Sequence, residues 1–88
     1  MYPFMTLQNE TEVVHSQIMD NNRVKVYFEQ PISGGFKSAA CYLPDYEWEE
    51  ISGFNSDEIA DLQAYLQSTA HLIYRFAQEG GFGNASNL

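Results

Sequence analysis

Three side chains of this sequence are candidates for metal binding or nucleophilic chemistry: His15, His71 and Cys41. Zinc sites are built from short-range pairs such as C-x-x-C or H-x-x-x-H, and calcium loops from alternating carboxylates around a glycine. No such spacing links these three residues, so the sequence predicts no metal and no cofactor. Cys41 stands among Ala39, Ala40 and Tyr42, with no cation nearby to favour the thiolate. A buried, inert thiol is the expectation, and no motif supports a pairing with His15 or His71. Adjacent carboxylates are plentiful: Glu47 with Glu49, Glu49 with Glu50, Asp57 with Asp61. General acid–base catalysis needs one carboxyl desolvated and its neighbour ionised, whereas these lie in a polar stretch. The glycine runs at 33–35 and 80–83 are not G-x-G-x-x-G, and neither follows a strand and opens a helix. The reading is therefore of a protein that is not an enzyme.

One charge asymmetry is left. Between Lys37 and Arg75 there is no Lys or Arg, and seven of the twelve acids fall within the interval Asp45–Asp61. They are Asp45, Glu47, Glu49, Glu50, Asp57, Glu58 and Asp61, interleaved with Tyr46, Trp48 and Phe54. In an extended segment Glu47 and Glu49 point the same way, about 6–7 Å apart. Such a row can imitate a phosphate backbone, and Tyr or Trp beside charge is typical of interface anchors. The candidate partner-binding residues are accordingly Asp45, Tyr46, Glu47, Trp48, Glu49, Glu50, Asp57, Glu58 and Asp61. The competing reading is a charged rim that only keeps a small protein in solution.

The whole chain sets the frame. Its 88 residues fit one domain. With 44% hydrophobic and 15% aromatic residues it is too apolar for disorder despite a net charge of −8. That charge argues against direct binding to nucleic acid or anionic lipid, which want a basic patch, and favours a basic protein partner. A lone cysteine suits a reducing compartment, and the first ten residues lack a signal-peptide pattern, so a cytoplasmic location is expected. No apolar run approaches the ~20 residues of a membrane span. The sequons at Asn9 and Asn84 are read as coincidence, and the C-terminal Ser86-Asn87-Leu88 as too short a match to a docking peptide to carry weight.

These residues need elements to position them. Residues 1–11 show no clear period and are read as an arm or an edge strand. "EVVHSQIM" (12–19) and "VKVYFEQ" (24–30) read as a hairpin around the turn signal "DNNR", with Val24, Val26 and Phe28 on one face. "PISGG" (31–35) reads as a second turn, and "FKSAACYL" (36–43) as a third strand with Ala39, Cys41 and Leu43 inward and Pro44 as its stop. Residues 46–51 are expected to be a short fourth strand, with one helical turn as the alternative. From Asn55 a helix is predicted. Asn55 caps it, Glu58 completes a capping box, Phe54 and Ile59 form a staple, and Ile59, Leu62, Leu66, Ala70, Ile73 and Ala77 make the apolar stripe. Gly80 or Gly81 would stop it, leaving 81–88 as a flexible tail.

The expected fold is thus α+β: an antiparallel sheet of three to four strands, a hairpin or meander, covered by one long C-terminal helix, with residues 12–80 as the single domain. The expected function is a non-enzymatic protein-binding module docking on a basic, nucleic-acid-binding protein. Phage and mobile-element inhibitors of the anti-CRISPR or DNA-mimic type are comparable in size and charge. The alternative is a homodimer or complex subunit whose acidity only solubilises, and a small enzyme ranks third.

Overall fold

The computed structural model describes residues 1–79. Five strands, β1 (Tyr2–Thr6), β2 (Glu12–His15), β3 (Val24–Ile32), β4 (Gly35–Leu43) and β5 (Glu47–Ser52), form one sheet in the order β1-β2-β3-β4-β5. Each neighbouring pair is antiparallel, so the sheet is a meander. One α-helix, α1 (Ser56–Glu79), follows, and a short 3-10 turn at Asp20–Asn22 connects β2 to β3. The fold is α+β with one more strand than the sequence led us to expect, because the N-terminal segment joins the sheet as edge strand β1.

The alternation in β3 and β4 decides which face the helix covers. Val24, Val26 and Phe28 pair with Leu43, Cys41 and Ala39, and all six are fully buried. Ala39 and Cys41 are small, which lets a helix approach the middle of the sheet. The helix answers with Leu62, Leu66, Ile73 and Ala77 buried and Ile59 and Ala70 partly so, at the 3.6-residue spacing of one face. Burying a Leu or Ile side chain in this way contributes about 1.5–3 kcal/mol. Phe54 joins the same core beside the helix start.

At the helix N-terminus the capping box forms as read. The Glu58 backbone N–H donates to Asn55 Oδ1 at 2.8 Å, and the Asn55 N–H donates to Glu58 Oε1 at 2.9 Å. Gly53 precedes it with φ +89, and a Cβ there would stand 2.9 Å from Lys37 Cγ, so both conformation and space call for glycine. The proposed stop at Gly80 or Gly81 and the tail 81–88 lie outside the described residues.

Three boundaries differ from expectation, each for a local reason. Strand β2 ends at His15, well short of residue 19, where the Ser16 hydroxyl accepts the Lys25 N–H at 3.0 Å in place of a backbone carbonyl; the turn at Asn21 and Asn22, with left-handed φ values of 67° and 60°, stands where expected. The second turn shrinks to Ser33-Gly34, with Gly34 at φ +84, while Pro31 and Ile32 stay in β3. Pro31 is tolerated because β2 pairs no further than Glu29, so no neighbour on that side needs its missing N–H. In β1, the register steps from Pro3↔Val14 to Met5↔Val13, leaving Phe4 as a bulge. Phe4 is thereby buried against His15 and Phe76, with ring centroids 6.3 and 6.1 Å away.

Candidate functional site

The acidic interval Asp45–Asp61 is continuous in sequence but divided in space. It contributes the last two residues of the three-residue connection Pro44–Tyr46, strand β5 and the first turns of α1. Tyr46 closes the connection with φ 55°, the left-handed position that ends a hairpin loop of this length. In β5 the register Tyr42↔Glu47, Cys41↔Trp48, Ala40↔Glu49 places Glu47 and Glu49 on the sheet face away from the helix and Trp48 on the face beneath it. A second bulge, with Glu50 at φ 54°, interrupts the ladder before Ser52. Asp57, Glu58 and Asp61 belong to the helix, the other layer of the fold.

Trp48 is therefore an internal clamp. Its ring stacks on Phe28, with centroids 5.8 Å apart and planes at 25°. Its indole Nε1–H donates to Gln63 Oε1 on the helix at 2.9 Å. The expected exposed anchor instead ties β5 to α1. Tyr46 likewise packs against the core. Of the other tyrosines, Tyr74 donates to the Asn22 carbonyl at 2.8 Å and Tyr65 donates to Met5 Sδ at 3.6 Å. Burial raises the pKa of both phenols.

The bases are distant in sequence but close in space. Arg23 Nη2 donates to Glu47 at 2.9 Å, and Arg23 Nε lies 3.3 Å from Asp45. Lys25 reaches Glu50 at 3.1 Å, and Lys37 reaches Glu58 at 2.7 Å. Arg23 and Lys25 cross β4 above the Tyr42 ring, at 4.5 and 5.8 Å from its centroid. The hydrogen bond to Glu47 raises the pKa of Arg23, and that to Glu50 raises the pKa of Lys25. The Lys37 bond, then the Asn55 N–H, lowers that of Glu58. Four of the nine candidate residues, Asp45, Glu47, Glu50 and Glu58, are thus charge-paired within the chain. Glu49, Asp57 and Asp61 have no ion pair among the described residues. The four participants that sequence reasoning missed are Arg23, Lys25, Lys37 and Tyr42. The alternation of β3 and β4 was the available signal, since it sends Lys25 and Tyr42 to the same face as Glu47.

The nucleophile and the histidines do not converge. Cys41 is fully buried, and burial pushes its pKa up to about 12. His15 is buried too, but Val26 stands between it and Cys41 in the register, which separates them by roughly 10 Å of sheet. His15 Nδ1 lies 2.9 Å from the Ser16 carbonyl, and its ring packs against Tyr2 and Phe4. His71 is exposed on the helix. Among the described residues no three His, Cys, Asp or Glu side chains gather as a metal-holding group, and no helix is long and apolar enough to cross a membrane.

The sequence matches no protein-family model and no curated protein, and the fold matches no solved structure.

Proposed function

We propose that the protein is a non-enzymatic binding module that docks on the basic surface of another protein. The observation that carries this reading is the charge balance of the interval Asp45–Asp61: seven carboxylates meet three cations, and Glu49, Asp57 and Asp61 are left uncompensated. A protein that binds nucleic acid offers the complementary surface, because its phosphate contacts are made by Lys and Arg. Arg23 and Lys25 break the acidic row, so docking proceeds through discrete carboxylates and not through a continuous imitation of a phosphate strand. A phage or mobile-element inhibitor is one form such a module takes. The lone buried Cys41 supports a reducing, cytoplasmic setting.

Self-association through the sheet edges is the weaker reading. Edge strand β1 carries Pro3 and a bulge, and edge strand β5 carries Glu47, Glu49, Glu50 and a bulge. Both are devices that discourage strand-to-strand pairing.

The test is affinity capture from the native host with the wild type and with a Glu49→Lys, Asp57→Lys, Asp61→Lys variant, followed by binding of the purified partner. The proposal expects a basic partner that the triple variant fails to bind while circular dichroism shows it folded. Equal binding by the two proteins would leave the acidic interval as a solubilising rim.

A further inference from the structure

The β3–β4 hairpin outruns its neighbours. β2 pairs no further than Glu29, and β5 pairs no nearer the hairpin turn than Ser38, so Pro31↔Phe36 and Ile32↔Gly35 form a two-stranded tip. This tip is apolar. Phe36 is 61% exposed and Ile32 45%, and Pro31 is exposed as well. Strand alternation puts Phe36 and Pro31 on one face of the ribbon and Ile32 on the other. A ribbon apolar on both faces suits insertion into a pocket better than contact with a flat surface.

The foot of the tip is acidic. A shallow cleft of about 340 Å³ is lined by Thr6, Glu10, Glu12, Glu29, Pro31 and Phe36. Glu12 and Glu29 stand directly opposite each other across β2 and β3, an arrangement that costs stability. No cation pairs with Glu10, Glu12 or Glu29 among the described residues. We infer that the hairpin tip is the anchor of the interface: Phe36, Ile32 and Pro31 enter an apolar pocket on a protein partner whose rim presents Lys or Arg to these three carboxylates. The charge sets the occupant. A second copy would bring its own carboxylates against them, and an anionic membrane would be repelled. The inference rests on the binding-module reading and adds to it the contact residues, since the aromatic side chains of the acidic interval are engaged internally.

The experiment places the photo-crosslinking residue p-benzoylphenylalanine at position 36 in the full chain, in native host cells, with position 71 on the helix as control. Mapping the crosslinked peptide by mass spectrometry should identify another protein at a site flanked by Lys or Arg, captured from position 36 and not from position 71. Binding of that purified protein should weaken at least about ten-fold in a Phe36→Ser, Ile32→Ser variant, the loss typical of an anchor residue. Glu12→Gln with Glu29→Gln should flatten the salt dependence of association. Crosslinks to a second copy or to lipid, no crosslink at position 36, or unchanged affinity in the Ser variant would overturn the inference. If the Ser variant binds normally while Glu49→Lys, Asp57→Lys, Asp61→Lys does not, the binding module stands and only the anchor falls. If both variants bind normally, the acidic interval falls with it. Circular dichroism checks that each variant is folded, which the exposure of Phe36 and Ile32 favours.

Discussion

Arg23 reaches across β4 to β5, where its Nη2 donates to Glu47 Oε1 at 2.9 Å over a sequence separation of 24 residues. The Tyr42 ring lies beneath the guanidinium and holds it in place. Exposed pairs of this kind contribute little to stability. Their consequence here is to cancel charge on the face that the proposed function uses. Replacing Arg23 and Lys25 by Gln releases Asp45, Glu47 and Glu50 from compensation. Association with a basic partner should then be faster at low salt, with the melting temperature nearly unchanged. Stopped-flow rates for the double variant check this, and a rate no higher than wild type would show that these carboxylates take no part in docking.

Trp48 should act on stability and not on binding. Trp48→Phe keeps a ring against Phe28 and loses the bond to Gln63, at a cost of about 0.5–1.5 kcal/mol in denaturant melts. Affinity for the partner should be unchanged. As the sole tryptophan it is also a direct fluorescence probe of the β5–α1 contact during unfolding.

The helix start supplies a pH prediction. Glu58 has its pKa lowered from the ordinary 4.5 by Lys37 and by the Asn55 N–H. The folded state therefore holds the ionised form more strongly than the unfolded chain does. Its contribution is fully present above about pH 4.5 and is lost as pH falls through the lower folded value. The melting temperature of Glu58→Gln should lie below wild type at neutral pH, and the gap should narrow as the pH is lowered below the ordinary 4.5. Asn55→Ala, which removes the other half of the capping box, should cost about 0.5–2 kcal/mol at neutral pH.

Cys41 should be inert. Full burial and a pKa pushed up to about 12 leave almost no thiolate at neutral pH. A thiol reagent at pH 7.5 should label the native protein at the rate of unfolding and the denatured protein at once. Fast labelling of the folded chain would contradict the burial of β4.

How much of this was legible in the sequence follows from the physics of each element. The hairpin of Val24–Phe28 with Ala39–Leu43 and the helix from Asn55 could be read because their periods are regular and their stops and caps are chemical. Strand β1 could be read only as an arm or an edge strand, because the Phe4 bulge breaks the alternation that marks a strand. Alternation gave the shared face of Lys25, Tyr42 and Glu47, but not which acid each base meets, because the bridges from Arg23 and Lys25 each span two strand spacings, a relation no local window contains. The place of Trp48 was within reach. An acid–Trp–acid alternation across Glu47–Glu49 puts the indole on the face opposite the carboxylates, and only one face of the sheet is covered by a helix.

The central claim is that the carboxylates of the interval Asp45–Asp61 dock on a basic protein, and the association rate tests it most directly. With the captured partner in hand, the rate is measured at about 10 mM and about 150 mM salt, where charges are felt over roughly 30 Å and 8 Å. The account predicts a rate that falls steeply with salt for the wild type, and a slow, nearly salt-independent rate for Glu49→Lys, Asp57→Lys, Asp61→Lys. Rates that are the same for both proteins at both salts would contradict it.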